Sequence, residues 1–487
     1  MLIRFFILPL FLFFFCWRWL YWLALVQQKE YRLDRLLIFL RTKQGQQALT
    51  YFFPQFKNFS FTKIKRPVRT PRMISLILLS LVLSAGWIAY LNELNATIFI
   101  LGLVAWTMLL PLIIYFTVLP SKMVFELASW YYQQIAIKKL KKIRPTIIGI
   151  TGSYGKTTTK VILAHILSKH FSVFATKKSF NTRYSLPKNI ARNYKGEKII
   201  ILEFAAYKPG EIKFLTNFFP PNFSIITGLT QQHLALFGSE KNIIKAKAEL
   251  VAAQDQKQPV FINGIDPGTK QIAEKGEAKK IIDYSGLQSK VKIAQTKLNK
   301  LGQLSFVWKK QKIKTYLIGK QYLQAIKATI SVAQFLQVSE EKIRQGISNF
   351  EPPDYFIQSQ LLESGLRVID DGCTSNPQGF RAMISLLADL KADYEWVGLL
   401  TAGLVDLGDE SEQIHHDLAQ QAGKVFDEVW YVGWPGLTQF KKVFSEEKRF
   451  FYEGIDEIMS RIEQLPENGI LLIEGRVPQV IRKYLAV

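Results

Sequence analysis

Gly149-Ile-Thr-Gly-Ser-Tyr-Gly-Lys-Thr-Thr-Thr159 is the stretch from which the rest of the chain is read. Before it, Thr146-Ile-Ile-Gly-Ile150 has the apolar, β-branched composition of a short buried strand. After it, Lys160-Val-Ile-Leu-Ala-His-Ile-Leu167 has the spacing of an amphipathic helix. A glycine-rich turn between a strand and a helix is a phosphate cradle. Glycines let backbone N–H groups close on the anion, and the helix N-terminus favours negative charge. The turn predicts that Thr151, Gly152, Ser153, Gly155, Lys156, Thr157 and Thr158 surround the phosphates of a nucleotide. Lys156 would reach the outer phosphates, and the Thr157 hydroxyl would reach Mg²⁺. The common G-x-x-x-x-G-K-T spacing is not met, because Ile150 stands where its first glycine belongs. The pattern present is the narrower T-G-x-x-G-K-T-T.

Downstream, short apolar runs alternate with helical patterns: Lys198–Leu202, Ser224–Thr227, Val260–Ile262, Val368–Ile369, Trp396–Leu400, Val429–Val432 and Ile470–Ile473. Such alternation indicates an α/β fold of mostly parallel strands, with ligands at their carboxyl ends. Glu203 and His233 each follow such a strand. With Thr157 they make a plausible environment for a hard cation. Taken alone, a glutamate at a strand end is ordinarily a surface residue, a lone histidine is ordinarily structural, and Lys247 in Lys245-Ala-Lys-Ala-Glu249 reads as a solvated helix face.

The chain of 487 residues has the length of about three domains. Its net charge of +24 invites a nucleic-acid reading, but the location of the charge argues against it. Residues 27–73 carry eleven Lys/Arg against two acids, and Lys138, Lys139, Lys141, Lys142 and Arg144 form a second cluster. Both flank apolar runs of 19 residues or more, Phe5–Val26, Met73–Leu91 and Ala96–Leu119. Each is long enough to cross a bilayer core, and flanking positive charge marks the cytoplasmic side and attracts anionic lipid. Arg18 interrupts the first run, while Trp17, Trp19, Tyr21 and Trp22 suit an interfacial belt. A cleaved signal peptide is the rival reading, but no small-residue cleavage site follows the run. The second and third runs form a hairpin through Asn92-Glu-Leu-Asn95. The expected location is the bacterial cytoplasmic membrane, multi-pass, with residues 120–487 in the cytoplasm. Residues 27–52 read as an amphipathic surface helix and residues 120–144 as a separate helix leading into the soluble part. Cys16 and Cys373 offer neither a disulfide framework nor a cysteine-based zinc site.

The loop, taken with five further segments in the same order, resembles the Mur ligases, the ATP-dependent enzymes that build the peptidoglycan stem peptide. The segments are Lys177-Lys-Ser-Phe-Asn181 through Pro187, Glu203-Phe-Ala-Ala-Tyr-Lys-Pro-Gly-Glu-Ile212, and His233-Leu-Ala-Leu-Phe-Gly-Ser239 with Lys245–Glu249. Ile369-Asp-Asp-Gly-Cys-Thr-Ser-Asn-Pro377 and Asp406-Leu-Gly-Asp-Glu-Ser-Glu-Gln-Ile-His415 follow. They are most like the branch that adds D-alanyl-D-alanine to a muramoyl tripeptide. The apolar runs mark a membrane region over 1–145, and the resemblance implies a central ATP-binding domain over 146–350 and a C-terminal Rossmann-like domain over 351–487. It implies ATP and Mg²⁺ as cofactors and Lys156, Glu203, His233 and Lys247 as the catalytic set. Thr157, Glu203 and His233 would hold Mg²⁺, joined by Lys247 if carbamylated, which turns an ammonium into an oxygen ligand. Asp371 matches a nucleotide-contacting acid, and Asn181 and Pro187 match the substrate-side loop. The implied partners are a muramoyl peptide, UDP-linked or lipid-linked, an amino-acid or dipeptide donor, and membrane lipid, with no nucleic acid.

The sequence also departs from the family. The membrane segment stands where a UDP-binding domain belongs. G-x-H-N-x-x-N becomes Gly319-Lys-Gln-Tyr-Leu-Gln-Ala325, and the arginine of a Pro-Gly-Arg becomes Tyr355 in Pro353-Asp-Tyr355. Lys-Gly-Ser becomes Glu474-Gly-Arg476, and Asp-Ser-Tyr-Asn becomes Asp371-Gly-Cys-Thr374. These changes lie in the half expected to close over ATP. They keep open an alternative: a nucleotide-binding, catalytically weak protein that recruits or regulates cell-wall enzymes.

Overall fold

The computed structural model describes all residues except 1, 42, 51–66, 178, 231–236, 373–375, 406, 408–409, 434, 452–454, 463 and 486–487. The chain divides into two compact units, Met1–Tyr132 and Gln133–Val487.

The first unit is helical: α1 (Leu2–Gln28), α2 (Leu33–Arg41), α3 (Lys43–Thr50), α4 (Pro71–Asn92) and most of α5 (Ala96–Ile143). Arg18, fully buried in α1, donates from Nε to the Thr107 carbonyl at 3.1 Å and from Nη2 to the Leu49 carbonyl at 3.2 Å. Carbonyl partners are what let a guanidinium sit among apolar residues. Trp19 Nε1 donates to Ser80 Oγ at 2.9 Å, and Trp87 stacks on Trp106 at 5.2 Å. Among the described residues, α4 and α5 are the helices long and apolar enough to cross a membrane, by length and composition only. Ile74, Leu78, Val82, Leu101, Met108, Leu112 and Phe116 on them face outward.

Two expectations are corrected here. The separate helix over 120–144 does not exist, because α5 runs unbroken for 48 residues. Pro111 and Pro120 sit inside it without ending it. The single amphipathic helix over 27–52 is instead α2 and α3, after a turn at Glu30 and Tyr31, where φ is positive.

The second unit holds the α/β layers expected from the sequence. Its first sheet has six strands in the order β2-β3-β1-β4-β5-β6, all parallel. They are β1 (Thr146–Thr151), β2 (Val173–Ala175), β3 (Ile199–Glu203), β4 (Phe223–Ile226), β5 (Val260–Ile262) and β6 (Ile281–Asp283). β3 is buried at all five positions. Helices cover both faces of such a sheet, so the strand reads as an unbroken apolar run instead of an alternation. A second sheet, β7 (Ile293–Leu298), β8 (Gln303–Trp308) and β9 (Gln311–Ile318), is antiparallel. Leu304, Phe306 and Trp308 turn inward on alternate positions of β8.

The third sheet has the order β10-β11-β15-β12-β13-β14. Its strands are β10 (Gln358–Leu361), β11 (Arg367–Asp371), β12 (Trp396–Thr401), β13 (Glu428–Tyr431), β14 (Arg449–Phe451) and β15 (Gly469–Glu474). β10 alone runs antiparallel. In the first sheet Ile150 pairs with Glu203 and Thr151 with Ile226, so the loop after β1, the end of β3 and the loop after β4 share one edge.

Candidate active site

Helix α6 (Lys156–Ser168) starts directly behind the glycine turn, with Gly155 at its N-cap and φ of 72°. That left-handed conformation favours glycine. Gly152 is fixed by space: a Cβ there would lie 2.1 Å from Thr227 Oγ1 and 3.1 Å from both the N and O of Gly228. The loop is tied to the segment after β4. Ser153 N donates to the Gly228 carbonyl at 2.7 Å, Ser153 Oγ to the Thr230 carbonyl at 3.2 Å, and Thr227 N to the Thr151 carbonyl at 2.9 Å. Thr151 itself is buried, its hydroxyl donating to the Phe204 carbonyl at 3.0 Å. Tyr154 lays its ring on Gly228 and donates to Asp266 Oδ2 at 3.3 Å. Burial and the Asp266 carboxylate push the Tyr154 phenol up to about 12.

Two lysines converge on one carbonyl. Lys156 Nζ and Lys247 Nζ each donate to the Gly152 oxygen at 2.8 Å. Lys247 lies on the helix Glu240–Ala252 and is buried, so it is not the solvated face that its local sequence suggests. Burial first, and the charge of Lys156 second, hold its ammonium well below the usual lysine range. Burial also lowers Lys156, with Glu203 opposing the shift. Two ammonium groups at one oxygen are a site made for a polyanion.

Glu203 sits at the end of β3, buried, and collects three donors. Thr157 Oγ1 donates to Oε2 at 2.8 Å, Lys160 Nζ to Oε2 at 3.2 Å, and Asn181 Nδ2 to Oε1 at 2.8 Å. The Lys160–Glu203 ion pair is buried on both sides. Lys160 also donates to Thr176 Oγ1 at 3.4 Å. Sequence reasoning missed Lys160, Thr227 and Asp266. The signal for Lys160 was its place one turn after Lys156, on the helix face turned into the domain.

The structure brings Thr157, Glu203, Asn181, Lys156 and Lys247 to one edge of the first sheet. Thr158 belongs to the first turn of α6, and Pro187 is buried in α7 (Ser185–Asn193). His233 lies outside the described residues. Asp371 is on the third sheet, in register with Glu474 at the carboxyl ends of β11 and β15. Glu474 is fully buried, and burial, Asp371 and Asp370 raise its carboxyl well above the ordinary carboxylate range. Burial first, and the Glu203 charge second, raise the Tyr355 phenol above its ordinary range.

The donors fit Mg²⁺. Among the described residues no group of three or more His, Cys, Asp or Glu side chains forms a cage. Thr157 and Glu203 instead offer one hydroxyl and one carboxylate beside a phosphate loop. That sparse oxygen set suits an ion that keeps several waters and takes its other ligands from phosphates.

A glycine cradle at the carboxyl edge of a parallel sheet, followed by a second α/β layer, defines the class: a nucleotide-binding α/β protein. Residues 150–333 match the Mur ligase middle domain. It is 24% identical over 347 residues to the UDP-N-acetylmuramoyl-tripeptide--D-alanyl-D-alanine ligase of Bacillus subtilis, a match covering 70% of this chain and 75% of that one. Its fold is that of MurF from Acinetobacter baumannii, with a TM-score of 0.65 and 21% identity over 73% of this chain and 80% of that one. It is also that of MurF from Thermotoga maritima, solved in complex with ADP, with a TM-score of 0.62 and 22% identity over 74% and 84%.

Proposed function

We propose that this protein is a membrane-anchored, ATP-dependent amide ligase of peptidoglycan precursor synthesis that adds D-alanyl-D-alanine to a muramoyl peptide. The observation that carries the reading is the convergence of Lys156 and Lys247 on the Gly152 carbonyl, beside the 2.8 Å contact of Thr157 with Glu203. In the reaction the substrate carboxylate attacks the γ-phosphorus of ATP, giving an acyl phosphate and ADP. The donor amine then attacks the acyl carbon, and phosphate leaves as the amide forms. Lys156 leaves Gly152 for the β/γ-phosphates and neutralises charge on the migrating group. Glu203 and Thr157 would hold Mg²⁺, whose charge would screen the phosphate oxygens, with His233 assigned to the same task. Asn181 keeps the Glu203 carboxylate turned toward Thr157, and Pro187 with Asn181 borders the acceptor.

Lys247 is assigned as the carbamylated lysine. Its lowered basicity supports this, because only the neutral amine adds CO₂. Thr151, Gly152, Ser153, Gly155 and Thr158 line the nucleotide with Asp371. The three regions are assigned as 1–145, 146–350 and 351–487. The apolar helices α4 and α5 anchor the protein in the bacterial cytoplasmic membrane with residues 120–487 in the cytoplasm, which makes a lipid-linked acceptor accessible.

The test is product mass spectrometry of the detergent-solubilised full chain. It is supplied with Mg-ATP, D-alanyl-D-alanine and either UDP-linked or lipid-linked muramoyl tripeptide. Amide product with stoichiometric phosphate, lost in Lys156→Ala, is expected, and use of the UDP-linked form alone removes the lipid-linked assignment. A second reading, nucleotide binding without ligation, is favoured by Tyr355 in place of an arginine and Glu474 in place of a lysine. ATP binding with no product from either acceptor would select it.

A further inference from the structure

At the carboxyl end of α5 the second unit has a cavity of about 460 Å³, lined by Lys139, Lys142, Ile143, Arg192, Tyr194, Lys195 and Gly196. Four of these seven residues are basic and none is acidic. They come from three segments: the last turns of α5, the last turn of α7 and the turn after α7. The geometry of the floor is fixed. Gly196 has φ of 111° and approaches Ile143, its ideal Cβ lying 3.7 Å from Cδ1. Lys139 Nζ donates to the carbonyls of Ala191 at 2.8 Å and Tyr194 at 3.0 Å.

Capping of helix ends explains part of this charge. Lys139 satisfies carbonyls at the end of α7, where the dipole favours a cation, and Arg192 sits in that same last turn. Lys142 likewise lies in the last turn of α5, whereas Lys195 lies beyond the end of α7 and capping does not explain it; both are exposed and line the cavity. Glu197 Oε2 accepts from the Lys195 backbone N–H at 2.8 Å. Crowded cations repel each other, and a group carrying more than one anionic oxygen relieves all of them at once.

We propose that this cavity is a phosphate-binding site, filled by the phosphate of a lipid headgroup or of a soluble phosphate compound. Lys142 and Lys195 are its principal ligands, and Lys139 and Arg192 set its potential. The proposal does not rest on the ligase reading, because binding here needs neither ATP nor turnover.

The test is hydrogen–deuterium exchange on the full chain, read at residues 139–143 and 191–197. One arm compares nanodiscs of phosphatidylcholine with and without phosphatidylglycerol, and the other titrates inorganic phosphate in neutral detergent. Exchange at 191–197 should slow several-fold in at least one arm. The double variant Lys142→Glu/Lys195→Glu should abolish that protection. Lys312→Glu/Lys314→Glu, which reverses the same charge at exposed positions of β9, should retain it. Protection by phosphatidylglycerol alone assigns a lipid headgroup, and protection by inorganic phosphate assigns a soluble phosphate. No protection in either arm, or equal loss in the control variant, overturns the site.

Discussion

Removing Glu203 should cost more stability than removing Lys160, although the two form one buried ion pair. Glu203→Ala leaves the Lys160 ammonium buried without its carboxylate, and breaking such a pair from one side costs about 3–5 kcal/mol. Lys160→Met leaves Glu203 with the Thr157 hydroxyl and the Asn181 amide, so its carboxylate keeps a donor on each oxygen. The cost is then that of one charge-assisted bond, about 1.5–3 kcal/mol. In a unit of this size, ~2 °C per kcal/mol converts the Glu203→Ala loss to about 6–10 °C of melting temperature. The double variant Glu203→Ala/Lys160→Met removes both charges and should melt above Glu203→Ala. The assay is denaturant unfolding of the four proteins as a double-mutant cycle, with a coupling of at least ~1 kcal/mol expected. pH gives an internal control. In Glu203→Ala the folded state holds the Lys160 proton less tightly than the unfolded state does, so raising the pH toward the ordinary lysine value should recover stability. An additive cycle, or a loss on Lys160→Met equal to that on Glu203→Ala, would refute the reasoning.

Gly152→Ala should lower ATP affinity at least tenfold in a nucleotide titration with the fold retained, because its Cβ meets Thr227 Oγ1 at 2.1 Å and forces the cradle open. Lys247→Met should raise the stability of the nucleotide-free protein. The wild type should gain stability as pH rises from the lowered Lys247 value toward 10.5, since the unfolded chain binds the proton that the fold disfavours. That slope should flatten in the variant, as read by melting temperature against pH. Asp266→Ala removes the acceptor of the Gly268 N–H at 2.9 Å, the Leu229 N–H at 2.6 Å and the Tyr154 hydroxyl. It should cost about 1–3 kcal/mol in urea unfolding and return the Tyr154 phenol toward its ordinary titration range.

The nucleotide loop was legible in the sequence because its signal is local: strand, turn and helix are consecutive between Thr146 and Ser168, and the glycines answer to backbone geometry. The parallel strands were legible because burial on both faces leaves apolar runs. The antiparallel sheet over 293–318 was missed, although Leu304, Phe306 and Trp308 alternate in the sequence. The long α5 was missed as well, because Pro120 reads as a break when its neighbours are unknown.

Glu203 is marked in the sequence by its place at a strand end. That it collects Thr157, Lys160 and Asn181, 22 to 46 residues away, follows from the parallel register of β1 and β3. The Lys247 sequence context gives a polar helix face. The fold decides that this face turns to the loop, that its ammonium is buried, and that its oxygen partner is the one Lys156 also uses. Local chemistry fixed the cradle. Burial and long-range pairing, which depend on where the whole chain lies, decided which charges surround it.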